Sequence, residues 1–398
     1  MPTEFAHGLY DQGNGAGMED FWNKYIESPL FAGGFTWAFV DEAVKRSDKN
    51  GILDSYEFNA PDGILGPYRE KEGSFYTIRE IWSPIQIKHI RITPSFNGDI
   101  FISNKYLYNK LGAYKLRYAT YKIGSPIGTK TKQVVEENVL NIPDIAPEET
   151  AKLSIPVSEK FFSANVLELT AIDANGTAVC NWTFPIQSAE AYNSDLKKAA
   201  STGNKAEISS KDSLVTLKGG DIEVTFNKNS GLIVNTANKK GSVSFKNGPI
   251  AVGMKSKFKE SKLRMEGETA VATFFYLGGI DSIRWEMTGS GLLHMSAMML
   301  NRASGGGGFD DSFMEEGITN LGITFSYPEA QVKGMEWYGR GPYRVWKNRI
   351  KGTNYGLWNK AYNNTITGES FESLVYPEFK GYHANLYWAT LQTKESDF

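Results

Sequence analysis

The 398-residue chain has one cysteine, Cys180, so it forms no intramolecular disulfide and offers no thiolate pair for a cysteine-type metal site. It has no apolar run approaching the ~20 residues that a membrane helix needs. Its opening, Met1-Pro2-Thr3-Glu4-Phe5, lacks the charged-then-apolar pattern of a secretion signal. Positive charge is not in excess either: 43 Lys and Arg against 45 Asp and Glu give a formal net charge of -2, so no overall field would hold a polyanion. Nucleic acid and membrane are therefore not expected partners. The run Ser304-Gly305-Gly306-Gly307-Gly308 is not followed by the Gly-Lys-Ser/Thr that a phosphate-cradling loop requires. No repeat of 20–50 residues is evident. What the chain does have is 13% aromatics and 40 glycines, a mixture suited to β-sandwiches with many turns and to aromatic surfaces on which sugars stack. Its length exceeds one ordinary core and predicts two to four domains.

Residues 1–85 read as α/β. Met18, Phe21, Trp22, Tyr25 and Ile26 recur at three- and four-residue spacing and predict a helix over 18–31. Phe35-Thr36-Trp37-Ala38-Phe39-Val40 is a short apolar run of the kind that forms buried parallel strands, and 70–81 predicts a second helix closed by Ser83-Pro84. From 86 to 187 the hydrophobic period becomes two. Leu116, Tyr118 and Thr120 alternate with Arg117, Ala119 and Tyr121. Val166 to Thr170 and Asn181 to Phe184 continue the pattern, with turns at Asn97-Gly98 and Asn175-Gly176. About seven short strands in roughly a hundred residues predict an immunoglobulin-like β-sandwich. Residues 188–212, rich in Ser, Ala, Lys, Glu and Asn, read as a linker. Strands resume over 213–398, at 214–217, 222–226, 271–276, 292–296 and 387–391, with hairpin turns at Gly219-Gly220-Asp221 and Asn229-Ser230-Gly231.

Glu4-Phe5-Ala6-His7, then Gly13-Asn14-Gly15, the helix, and Gly33-Gly34-Phe35-Thr36-Trp37-Ala38-Phe39-Val40-Asp41 together resemble the end of the catalytic barrel of glycoside hydrolase family 2, in the lac-type β-galactosidase branch. Trp337-Tyr338-Gly339-Arg340-Gly341-Pro342 resembles the Gly-x-Gly-Pro signature of that branch's final domain, and 221–232 its opening hairpin. The resemblance implies a mainly β chain: an immunoglobulin-like sandwich and a galactose-mutarotase-like β-supersandwich, preceded by the C-terminal remnant of a (β/α)8 barrel over 1–85. A complete barrel needs roughly 200 residues. The expectation is therefore an internal fragment of a longer enzyme, truncated at both ends, with exposed barrel edges and apolar faces in its first residues.

For the site, the resemblance makes Glu4 the catalytic nucleophile, His7 a contact to sugar hydroxyls and Trp37 an aromatic platform. Asp62 falls near a family position that takes asparagine in the substrate and sodium site. By themselves these residues also read as a surface glutamate, a packed histidine, a core tryptophan and a Pro61-Asp62-Gly63 turn, and Asn14 reads as turn chemistry. A retaining glycosidase needs two carboxyl groups, one to attack the anomeric carbon and one to protonate the leaving oxygen. The family's acid/base glutamate, in an Asn-Glu pair, has no counterpart here, so the chain alone is expected to be inactive. Arg344 and Arg349 replace acidic family positions and would suit carboxylates, or form a solvated basic loop. His89, His294 and His383 read as structural. Glu315-Glu316 near Asp310-Asp311 reads as solvated, and no metal is assigned. The chain itself requires no cofactor, while the resemblance leaves room for a divalent cation in a full-length parent. The expected partner is a β-linked oligosaccharide or glycan, and a homo-oligomer is compatible with the family. A second reading is a non-catalytic carbohydrate-binding or scaffold protein whose surface is formed by Trp337, Tyr338, Tyr343, Trp346 and Trp358.

Overall fold

The computed structural model describes residues 1–4, 16–54, 60, 62–200, 204–299, 321–345, 348–362, 379 and 381–398. The chain is mainly β and divides into two compact units. One comprises Met1–Tyr192 and Gly334–Thr390, the other Asn193–Lys333 and Leu391–Phe398.

The first unit opens with helix α1 (Met18–Ile26). Its apolar stripe is real but shallowly buried. Met18 is fully covered and Trp22 packs on Ile64, Ile78 and Ile81, while Phe21 remains 58% exposed. A hairpin follows, β1 (Val44–Arg46) with β2 (Ile52–Asp54), turned at Asn50 and Gly51, both at positive φ. Helix α2 (Gly73–Ile81) matches the expected second helix and stops before Ser83-Pro84, because a residue preceding proline disfavours helical backbone. The expected buried strand over 35–40 does not form. The segment forms no continuous strand, makes a parallel bridge from Val40 to Leu65, and leaves Phe35 and Phe39 59% and 64% exposed. A parallel strand needs neighbours on its edges and helices on its faces, and among the described residues the segment meets only short stretches, at Pro2, Asp62 and Ile64-Leu65.

The sandwich is built as its alternation predicts. Strands β3 (Ile85–Ile87), β4 (Asp99–Asn104), β5 (Lys115–Ile123), β6 (Lys132–Asn141), β7 (Thr150–Ser154), β8 (Val166–Ile172) and β9 (Ala178–Pro185) form two antiparallel sheets, ordered β3-β4-β7 and β6-β5-β8-β9. Ile85, Ile100, Ile102, Leu116, Phe161, Leu167 and Leu169 fill the space between them and are all fully buried. Gly98 must be glycine twice over: its φ is +92, and a Cβ would lie 2.0 Å from the Ile155 carbonyl oxygen.

Residues 188–212 carry regular structure. They hold helix α3 (Ala189–Ala200) and strand β10 (Glu207–Lys211). Ser188 caps the helix by accepting the Ala191 N–H at 3.2 Å, and Tyr192, buried, donates its hydroxyl to the Gly124 carbonyl at 3.0 Å. Ala, Glu and Lys are strong helix formers that bury little, so a helix anchored by one aromatic has the composition of a linker.

The second unit is a set of antiparallel meanders. A five-stranded sheet runs in order from β10 through β11 (Leu214–Gly219), β12 (Ile222–Asn227) and β13 (Ile233–Asn238) to β14 (Gly241–Val243). Strand β15 (Lys246–Val252) comes next. A four-stranded sheet then joins β16 (Ser256–Glu266), β17 (Thr269–Gly278), β18 (Ile280–Met287) and β19 (Leu293–Met299), and β15 pairs with β20 (Gly322–Ser326). Both expected hairpin turns form. Phe226, Phe274 and Trp285 meet in the core at ring separations of 5.2–5.5 Å. The Ser304–Gly308 loop and the acidic residues at 310–316 lie outside the described residues.

Strand β21 (Val332–Gly341) returns the chain to the first unit. There it pairs antiparallel with β22 (Asn354–Ala361) in a sheet ordered β22-β21-β23, where β23 is Trp388–Thr393. The two glycines of Gly339-Arg340-Gly341 have a packing cause. A Cβ on Gly341 would lie 2.6 Å from the Trp358 ring, and one on Gly339 would lie 2.8 Å from Leu386.

Candidate active site

Three segments of the first unit meet through backbone hydrogen bonds. The Phe35 N–H donates to the Pro2 carbonyl at 3.1 Å, and the Ala38 N–H donates to the Asp62 carbonyl at 2.6 Å. Ile64 and Leu65 both donate to the Phe39 carbonyl, at 3.3 and 3.1 Å, and Asp41 donates back to Leu65 at 2.9 Å. Gly34 lets the first segment lie close, since its Cβ would sit 3.2 Å from the Pro2 ring. These bonds place exposed Glu4 two residues from the Pro2 contact, and Trp37 directly beside the Asp62 contact. The Trp37–Ala38 peptide is cis and the indole is 38% exposed. Glu4, Trp37 and Asp62, separated by up to 58 positions in sequence, thus share one neighbourhood. His7 and Asn14 lie outside the described residues.

Asp41 closes the apolar motif, which by itself assigns it no role. It is only 5% exposed, and its Oδ1 accepts the Gly63 N–H at 2.8 Å. Gly63 can be nothing larger, because a Cβ would stand 2.3 Å from the Asp41 nitrogen. Burial pushes the Asp41 carboxyl up to about 7; the Gly63 bond opposes this, while the charges of Glu70 and Asp62 reinforce it. The one sequence signal for it is an acid closing an apolar run. Asp62 sits in the backbone contact that the turn reading expects. Its carbonyl is part of the turn that holds Ala38, and its half-buried carboxylate adds to the field on Asp41. Among the described residues no three His, Cys, Asp or Glu side chains are arranged to hold a metal ion.

Of the aromatics expected to form a binding surface, two are in the interior. Trp337 and Tyr338 are fully buried. The Trp337 indole donates to the Arg340 carbonyl at 2.9 Å, and Tyr338 stacks on Tyr387 at 4.1 Å. Tyr343 stacks on Tyr76 at 5.1 Å, and the Trp358 indole donates to the Gly339 carbonyl at 3.1 Å. Trp346 lies outside the described residues. Arg344 and Arg349 are not a solvated basic loop. They are 5% and 3% exposed, and Arg349 donates to the Arg344 carbonyl at 3.3 Å. The three histidines have ordinary neighbours: His89 lies 6.2 Å from Phe184, His294 bonds Glu286 at 2.9 Å, and His383 meets Trp337 edge-on at 5.0 Å.

Residues 218–398 match the sequence profile of the β-galactosidase small chain. β-Galactosidase BgaC of Bifidobacterium adolescentis is 21% identical over 98% of this chain, and the chain spans 39% of its length. The β-galactosidases of Oenococcus oeni and Pseudoalteromonas haloplanktis are 23% and 24% identical over 58% of the chain, each match covering 23% of the relative. Among solved structures, the exo-chitosanase CsxA of Amycolatopsis orientalis aligns over 73% of this chain and 33% of its own, at 11% identity and a TM-score of 0.24, too low to carry an argument. These matches make the chain similar to the C-terminal region of β-galactosidases of glycoside hydrolase family 2.

Proposed function

We propose that the chain contributes the nucleophile side of a retaining exo-β-glycosidase that acts on terminal β-linked sugars, most closely β-galactosides. Glu4 attacks the anomeric carbon and forms a covalent glycosyl ester, which water then releases with net retention. His7 and Asp62 bond sugar hydroxyls, and the Trp37 indole lies against the apolar C–H face of the ring. The second carboxyl group, which protonates the leaving oxygen, comes from outside this sequence, which contains no Asn-Glu pair. The 398-residue chain by itself therefore does not turn substrate over. The observation that supports this reading is the joining of the Glu4, Trp37 and Asp62 segments by the bonds from Phe35 to Pro2 and from Ala38 to Asp62.

The test is to isolate the native gene product, treat it with 2-deoxy-2-fluorogalactosyl fluoride and map the labelled peptide. Label is expected on Glu4 and is expected to be lost in Glu4→Gln, while the 398-residue chain alone should leave a nitrophenyl β-galactoside intact. Label on another carboxylate would refute the assignment of Glu4. Turnover by the isolated chain would refute the external acid.

A further inference from the structure

We infer that the first unit holds a second carbohydrate site, a cleft separate from the Glu4 and Trp37 segments, which binds a neutral oligosaccharide. The cleft encloses about 900 Å³, within the range of roughly 300–1,000 Å³ found for small-molecule pockets. It lies where α1, α2, β3, β9 and the loop 348–354 converge, and none of its lining residues comes from the segments 1–4, 34–42 or 60–72.

Its walls are held by bonds between distant parts of the chain. Gly17 donates to the Asn348 carbonyl at 3.0 Å, and the Thr77 hydroxyl donates to the Lys351 carbonyl at 2.8 Å. The Gly352 N–H donates to Glu80 Oε2 at 2.6 Å, and the Tyr355 N–H donates to the Thr183 hydroxyl at 2.7 Å. Gly352 sits at φ +85 with its would-be Cβ 2.4 Å from the Thr77 nitrogen, a close approach open only to glycine. In each of these bonds at least one partner is a backbone group of the 348–355 segment, so the cleft wall is tied to α1, α2 and β9.

The lining selects the ligand class. Three acids, Glu19, Asp20 and Glu80, face three bases, Arg340, Arg349 and Lys351. An anion would meet the acids and a cation the bases, whereas a neutral polyol both donates and accepts and can use each in turn. Lys351 and Glu19 pair across the cleft at 3.0 Å. Burial pushes the Glu80 carboxyl above the ordinary glutamate range, against the opposing Gly352 bond and the charges of Lys351 and Arg340. Trp182 and Phe184 form an apolar wall, and exposed His89 lies 6.2 Å from the Phe184 ring. Aromatic faces of this kind pack on the C–H face of a pyranose.

The test is calorimetric titration of the 398-residue protein with lactose and with a β-1,4-linked galactotriose, using inorganic phosphate as an anionic competitor. Saturable binding is expected. His89→Ala and Glu80→Gln should each weaken it at least about fivefold, and phosphate should not compete. His89 is exposed, and glutamine keeps an acceptor for Gly352, so both variants should retain the wild-type circular dichroism. No saturation by ~20 mM sugar, displacement by phosphate, or binding that survives both cleft variants would overturn the inference. Binding lost only in Trp37→Ala would also overturn it and assign the sugar to the candidate active site. Labelling of Glu4 is read separately, so either idea can fail without the other.

Discussion

A carboxyl group buried as deeply as Asp41 costs the fold free energy when it ionises. In an unfolded chain it titrates near pH 3.9, and in the fold near 7. Below about pH 4 it is protonated in both states and neutral to stability. Between about 4 and 7 the unfolded chain releases the proton and the folded chain keeps it, so stability falls as pH rises. Above about 7 the loss is complete, on the order of 4 kcal/mol at about 1.4 kcal/mol per pH unit. An asparagine in its place would still accept from Gly63 without titrating. The stability of Asp41→Asn relative to wild type, from urea midpoints, should therefore grow between about pH 4.5 and 7.5. A difference that does not change with pH would show that Asp41 titrates normally. Glu4, His7, Trp37 and Asp62 were legible only as motif positions, through a family resemblance. Asp41 was not legible as a perturbed acid, because its burial and its bond to Gly63, 22 residues away, arise only in the fold.

At the scale of elements, the sequence was readable where a strand carries β-branched and aromatic residues into a core, as along β5, β8 and β12. It was silent about β16, eleven residues carrying Lys257, Lys259, Lys262 and Arg264, because that strand lies at a sheet edge and buries nothing fully. Charged edge strands of this kind resist pairing with other chains. It misread 35–40, whose apolar character matches a buried strand although Phe35 and Phe39 are exposed. The Gly339-Arg340-Gly341 motif was legible as a signature, but its cause is the Trp358 ring on Gly341. Gly341→Ala should cost about 1–3 kcal/mol through overpacking, measured as a lowered urea midpoint with altered tryptophan fluorescence. An unchanged midpoint would mean that Trp358 can move aside freely.

Leu169 and Phe274 lie in two separate cores, one in each unit. Scanning calorimetry should show two transitions. Leu169→Ala should lower one by about 2–5 kcal/mol and Phe274→Ala the other by about 3–5 kcal/mol. A single transition lowered equally by both would show one cooperative block. Read along the chain, domains begin and end in order, so the sequence placed everything after 212 together. The structure instead returns 334–390 to the first unit through contacts such as that of Thr183 with Asn354, 171 residues apart. This return also fixes an order of assembly. A ribosome adding roughly 5–20 residues per second delivers Asn354 on the order of ten to thirty seconds after Thr183. During that interval the second unit's meanders can close on themselves, while α1, α2 and β9 wait for the loop that completes them. The half-built first unit is the stage at which the nascent chain most needs shielding from its neighbours.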